Sequence, residues 1–199
     1  MDLDAVRARW DAEADTYDER PDRGLRPGPV RVAWADVLRT VLPPLPTRIV
    51  DLGCGTGSLA VLAAELGYDV VGMDISSRML ERARAQARES DVDVTFLEGD
   101  ANDPPLDPAT FDVVLGRDVV ATLPDPGAAL ATWARVVRPG GRLVLIETRT
   151  GTDGLAAVQL QRILHPLASS MIVVPLQSAD LWGEPVIDER FAVVAHVRS

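Results

Sequence analysis

Residues 49–60 read IVDLGCGTGSLA: a short apolar run closing on an acid, three glycines in five positions, then a run of small and apolar residues. Glycine reaches positive φ without steric cost, so Gly53, Gly55 and Gly57 mark a sharp turn between two regular elements. RIVDLG (48–53) reads as a buried strand and SLAVLAAEL (58–66) as a helix stopped by Gly67. A strand entering a helix through so short a turn is the βα unit of a parallel sheet, with the helix N-terminus facing whatever the turn holds.

The pattern repeats downstream. DVVGMD (69–74) is a second strand, and Ser76 and Ser77 offer an N-cap to a helix whose apolar positions Met79, Leu80, Ala83 and Ala87 share one face. DVTFLEGD (93–100) and FDVVLGRD (111–118) are the third and fourth strands, separated by the proline-broken loop ANDPPLDPAT. A helix over 127–137 leads to a sharp RPGG turn (138–141) and a fifth strand at 142–148. A helix near 153–166 and strands at 171–176 and 190–197, able to pair antiparallel, complete the chain. Upstream, residues 1–40 read as one or two amphipathic helices broken by PDRGLRPGP (21–29), and VLPPLP (41–46) is a stiff lead into the first strand.

These elements suit one α/β domain over 1–199: a helical cap segment at 1–45, a ligand-binding core at 46–150, and a C-terminal helix with edge strands at 151–199 on the substrate side. At 199 residues and 47% hydrophobic there is material for one core. The charged start and the lack of a long apolar run predict a cytoplasmic protein without a membrane partner. The single cysteine, Cys54, excludes an internal disulfide and a cysteine-cluster metal site. A formal net charge of −10 opposes a nucleic-acid partner and favours a small-molecule one.

In an open parallel sheet the ligand lies beyond the carboxyl ends of the strands, so the residues there carry the argument. A dinucleotide fingerprint needs G-x-G-x-x-G/A, and Ser58 occupies its third slot; a phosphate-binding P-loop needs a lysine, and the chain has none. S-adenosylmethionine makes other demands: its ammonium and sulfonium favour carboxylates, and its carboxylate and ribose favour backbone donors and polar groups. Asp51 closes strand one, where it can bond the ammonium or organise the loop amides. Asp74 closes strand two, where an acid accepts both ribose hydroxyls, and Asp100 after strand three can accept from the adenine amino group.

Taken in order, VDLGCGTG, GMDIS, LEGDA, FDVVLGRDVVATLPDP and RVVRPGGRLVLIE resemble the class I S-adenosylmethionine-dependent methyltransferases, over residues 10–150. The similarity is strongest to small bacterial members acting on quinone-like or natural-product substrates. It implies a single Rossmann-like, mostly parallel seven-stranded sheet, order 3-2-1-4-5-7-6 with strand seven antiparallel and helices on both faces. It also implies a loop of Gly53, Cys54, Gly55, Thr56 and Gly57 against the methionine and ribose portions. Asp74 would take the ribose hydroxyls, Ile75 and Met79 would flank the adenine, and Gly99, Asp100 and Ala101 would lie at its edge. Arg117 would offer its backbone carbonyl to the ammonium, and Tyr17 would cover the cofactor.

Other candidates have ordinary readings beside the chemical ones. Cys54 has no histidine nearby in sequence and reads as small loop filler rather than a nucleophile. His165 and His196 read as a helix-end cation and an edge-strand residue. Trp10, Trp34, Trp133 and Trp182 suit packing, although Trp34 and Trp182 fall in segments expected to overhang the pocket and are candidate substrate contacts. Asp118, just after strand four, either orients or deprotonates an acceptor or caps the next turn. Strand five ends with only Glu147, so no metal is expected. The sequence thus predicts methyl transfer to an O, N or C nucleophile of a small molecule by a monomer or homodimer. A noncatalytic cofactor-binding sensor or scaffold, or a nicotinamide oxidoreductase, are the alternatives.

Overall fold

The computed structural model describes residues 2–25 and 28–198, with residues 21 and 22 described by their backbone alone. Strands β1 (Arg48–Leu52), β2 (Asp69–Asp74), β3 (Thr95–Glu98), β4 (Phe111–Arg117), β5 (Val137–Arg149), β6 (Ala168–Pro175) and β7 (Glu189–Val197) form one sheet. Its order is β3-β2-β1-β4-β5-β7-β6, the expected one. The first five strands run parallel, while β7 lies antiparallel between β5 and β6. Strand order therefore reverses between β1 and β4, opening a crevice at their carboxyl ends.

Both faces of the sheet are covered, because successive side chains of a strand point to opposite sides. Ile49, Val113, Leu115 and Val144 enter one core with α3 (Gly28–Val41), α4 (Ser58–Glu65) and α5 (Ser77–Glu89). Their neighbours Val50, Leu52, Val114 and Leu143 enter the other, under α6 (Pro126–Val136) and α7 (Ala157–Leu164). Helix starts follow local chemistry: the Ser76 hydroxyl accepts from Met79 N, and the Asp125 carboxylate accepts from Ala128 N just before Pro126.

The N-terminal segment is laid across the carboxyl ends of β1 and β2 by polar contacts. It comprises α1 (Leu3–Glu13), a 3-10 turn at Tyr17–Glu19 and the one-turn α2 (Pro21–Gly24). Asp11 accepts from Ser76 Oγ at 2.6 Å, Asp15 pairs with Arg78 at 2.9 Å and Arg82 at 2.6 Å, and Asp18 accepts from Thr56 Oγ1 at 2.6 Å. The predicted PDRGLRPGP break is partly helical as α2, and residues 26 and 27 within it lie outside the described ones.

Several boundaries differ from the sequence reading. RPGG is not a turn ahead of β5 but part of it: helix α6 ends at Val136 and the strand begins at Val137. Gly140 has φ +78° and a Cβ on Gly141 would stand 2.5 Å from Asp112 O, so the pair lets β5 kink past β4, whose register slips between Phe111 and Val113. Helix α7 is shorter than 153–166, β3 is shorter than 93–100, and β6 starts before 171. The stretch between the last strands holds a further one-turn helix, α8 (Ala179–Trp182), capped by Ser178.

Candidate active site

The glycine turn is built from backbone hydrogen bonds and one buried carboxylate. Gly53 N and Cys54 N donate to Met73 O at 2.8 and 2.9 Å, tying the loop to the end of β2. Asp74 then accepts from Gly55 N through Oδ2 at 2.8 Å and from Ser76 N through Oδ1 at 2.9 Å. One carboxylate thus fixes both the loop and the entry to α5. Burial raises its pKa above the ordinary carboxylate range, and the backbone donors oppose that shift.

A groove runs over this loop. Its floor is Gly53, Gly55, Asp74 and Ile75, one end is closed by Met79, Asp100 and Ala101, and the other by Arg117 and Asp118. Tyr17 lies over the loop, its ring 3.7 Å from where a Cβ on Gly55 would sit, so that glycine leaves room for the aromatic cover. Burial raises the phenol pKa. Asp100 also makes a local turn, its Oδ1 accepting from Asn102 N and Nδ2 at 2.9 and 2.8 Å. Trp133, fully buried, donates from its indole to Ala101 O at 2.7 Å and holds the same loop from beneath.

Behind the glycines lies a recess of about 30 Å³, shared with the groove through Tyr17, Gly53 and Arg117 and lined also by Asp51, Cys54 and Thr56. Asp51 is 2% exposed. Burial, reinforced by the nearby charge of Asp74, pushes its carboxyl up to about 7 against the opposing Arg117 guanidinium. Of the two expectations for Asp51, the loop amides named above are held by Met73 O and Asp74 instead. Burial also raises the Cys54 thiol well above its usual value, which fits filler and not a nucleophile.

Four of the candidate residues have packing or polar partners of their own. Gly57 does not line the groove: a Cβ there would stand 2.8 Å from Ala83 Cβ, so this glycine serves the close approach of α4 and α5. Gly99 packs on Met73 Sδ in the same way, and the Thr56 hydroxyl is taken by Asp18. Trp34 is 0% exposed and does not overhang the site; its indole donates to Leu181 O at 2.7 Å and its ring meets Trp182 edge to face at 5.3 Å. It underlies the site instead, because the Arg117 guanidinium stacks 4.7 Å above it. Trp182 is buried but lines the second cavity described next.

That cavity, about 710 Å³, opens on the far side of Asp118. Its walls come from α2, the ends of β4 and β5, the 150–154 loop and the segment between β6 and β7, with Arg23, Glu147, Asp153, Trp182 and Arg190 among them. Asp118 and Thr122 line both spaces. Asp118 has φ +53°, a left-handed conformation, and its Oδ1 accepts from Thr148 N at 2.9 Å. Glu147 is 1% exposed and accepts from Val120 N at 3.0 Å; burial first, then Asp118, raises its carboxyl to about 8.

Sequence reasoning missed part of the groove. Leu3, Val6 and Trp10 of α1 line it, and Trp10 meets Tyr17 edge to face at 6.4 Å. Their spacing of three and four residues was the available signal, masked by a helix that is otherwise polar. Val119 and Leu123, in the turn after β4, line it too.

Comparison with known proteins identifies the family. Residues 50–145 match the family described as "Methyltransferase domain". The chain belongs to the class I S-adenosylmethionine-dependent methyltransferases, whose cofactor is S-adenosylmethionine. It is 34% identical over 177 residues to a demethylmenaquinone methyltransferase of Clavibacter sepedonicus, covering 89% of this chain and 71% of the relative. It is 36% identical over 140 residues to the 27-O-demethylrifamycin SV methyltransferase of Amycolatopsis mediterranei, covering 68% of this chain and 48% of the relative. The chain thus spans about half the length of some curated relatives that it matches. In fold it is similar to a Haloferax volcanii methyltransferase solved with its Trm112 activator: TM-score 0.72, 21% identity, 96% of this chain and 98% of that one.

Proposed function

We propose that the protein transfers a methyl group from S-adenosylmethionine to an oxygen, nitrogen or carbon nucleophile of a small molecule seated in the 710 Å³ cavity. The observation that carries this reading is that Asp118 and Thr122 border both the glycine-loop groove and that cavity, so donor and acceptor meet there. The groove suits the donor on its own chemistry. Asp74 keeps lone pairs for ribose hydroxyls beyond its two backbone bonds, and the Asp51 recess has the size of one small polar group such as an ammonium. Met79 and Ile75 offer apolar contact toward the end of the groove that Asp100 borders.

Bound there, S-adenosylmethionine would supply an electrophilic methyl on a sulfonium sulfur, the sulfur keeping the electrons of the broken carbon–sulfur bond as S-adenosylhomocysteine. The chain's own contribution is alignment and exclusion of water. Tyr17, Trp10 and the rest of α1 roof the groove, and positioning of this kind accounts for roughly 7–11 kcal/mol of barrier in well-oriented systems. Asp118 is the candidate to orient the acceptor or take its proton. Its Oδ1 is anchored by Thr148 N, and Oδ2 stands 3.8 Å from Arg117 Nε. Net charge −10 supports a small-molecule acceptor over nucleic acid, and no described helix is long and apolar enough to cross a membrane. We take the setting to be cytoplasmic secondary metabolism.

The test is release of S-adenosylhomocysteine when protein and S-adenosylmethionine are incubated with phenols, amines and carboxylic acids. Turnover with at least one acceptor, lost in Asp74→Ala, is expected. Tight binding of the donor with no turnover across the panel favours a sensor or scaffold, and no binding at all ends the methyl-donor reading.

A further inference from the structure

The acceptor cavity is lined by a nearly buried cation that the described residues pair only loosely. Arg190, at the start of β7, has a side chain 10% exposed, and its guanidinium stacks 4.2 Å from the centroid of the Trp182 ring. Two carboxylates pair with it loosely: Nη2 lies 3.5 Å from Asp188 Oδ2 and 3.8 Å from Glu184 Oε1. Asp188 Oδ2 is shared with the Thr150 hydroxyl, and the Glu184 side chain is 67% exposed. Among the described residues Nε has no hydrogen-bond partner.

Buried guanidinium groups ordinarily direct their five donors into hydrogen bonds, because removing the charge from water without them is costly. Arg190 is held in place by the aromatic face and two long ion pairs, and it lines a cavity large enough for a small molecule. The chemistry that pairs with the rest of its donors is a planar oxyanion, whose two oxygens match the two Nη nitrogens. Nε is itself sealed from solvent, so such a ligand meets the Nη edge. The acids nearer the groove do not repel it in equal measure. Glu147 holds its proton at neutral pH, and Arg20 and Arg23 line the cavity with Arg190, opposite the carboxylates of Asp118, Asp153, Glu184 and Asp188.

We propose that the acceptor carries a carboxylate paired with Arg190 while its nucleophilic atom stands at Asp118. The substrate class is then small polar carboxylic acids, not neutral apolar molecules. This inference rests on the reading of the cavity as the acceptor site, and it makes Arg190 a specificity-determining residue.

The experiment titrates matched pairs into the protein by calorimetry: phenol and 4-hydroxybenzoate, catechol and 3,4-dihydroxybenzoate, indole and indole-3-acetate. Each titration is run with and without saturating S-adenosylhomocysteine. At least one acid is expected to bind tenfold or more tightly than its neutral partner. Arg190→Gln should erase the preference and Arg190→Lys should keep part of it, with S-adenosylhomocysteine affinity unchanged in both as the check on folding. Acids and neutral partners binding alike, no acid binding, or a preference that survives Arg190→Gln overturns the proposal. Failure of S-adenosylhomocysteine to bind the wild type overturns the methyl-donor reading separately, since the acid preference is still read in its absence.

Discussion

Lowering the pH from 7.5 to 5.5 should weaken binding of S-adenosylhomocysteine about 25-fold, and Asp51 is the reason. Its carboxyl is buried and titrates at about 7, so near neutral pH the free protein is divided between the acid and the carboxylate. A ligand ammonium in the adjoining recess favours the carboxylate, and binding therefore expels a proton. With a free-state value of about 7, and a ligand ammonium that keeps the carboxylate ionised across the interval in the complex, the binding constant scales with the fraction ionised. That fraction falls from about three quarters to about one thirtieth over this interval, equivalent to about 2 kcal/mol. Calorimetry at several pH values, in buffers of different ionisation enthalpy, reads both the affinity and the proton release. Asp51→Asn should bind more weakly at pH 7.5 and lose most of the pH dependence. An affinity flat across the interval, or an equal slope in Asp51→Asn, refutes the assignment of the ammonium to this recess.

Stability should carry its own pH signature through Glu147, which burial raises to about 8. Between the ordinary carboxylate value and 8 the folded state holds a proton that the unfolded state has released. Stability therefore falls as pH rises through this window and levels off above 8, with about 2 kcal/mol lost from pH 6 to 8. Denaturant melts at pH 6, 7 and 8 should show this slope, and Glu147→Gln should remove most of it, leaving the smaller fall that Asp51, raised to about 7, adds over the same window; an unchanged slope contradicts the assignment. Gly57→Ala places a Cβ 2.8 Å from Ala83 Cβ at φ +83° and should cost about 2–4 kcal/mol in the same melts, whereas a neutral result refutes the packing role. Trp133→Phe removes the 2.7 Å hydrogen bond to Ala101 O and should cost about 1 kcal/mol, with S-adenosylhomocysteine binding weakened a few-fold; unchanged binding would detach this loop from the site.

The sheet was legible in the sequence because each strand is a short apolar run ended by a glycine or an acid, and βα alternation leaves few parallel topologies. The order of the last three strands came from the family resemblance and not from periodicity, which cannot say that β7 enters between β5 and β6. RPGG misled because glycine and proline mark turns and β-bulges alike, and only pairing with β4 distinguishes the two. Asp74, Gly53 and Gly55 were legible in the site because carboxyl ends of parallel strands fix position along the chain and in space together. Gly57 and Trp34 were not, because a motif does not reveal which face a residue presents. Gly57 turns to Ala83, and Trp34 lies beneath Arg117. Arg190 was out of reach for a related reason: its isolation depends on Trp182 and Asp188, brought to it by the loop before β7.

A structure of the protein with S-adenosylhomocysteine bound tests the account most directly. The ribose hydroxyls are predicted within hydrogen-bond distance of the Asp74 carboxylate, the ammonium toward Asp51, and the sulfur facing Asp118 and Thr122 at the mouth of the larger cavity. A ligand bound outside the groove, or one whose sulfur is walled off from that cavity, contradicts it.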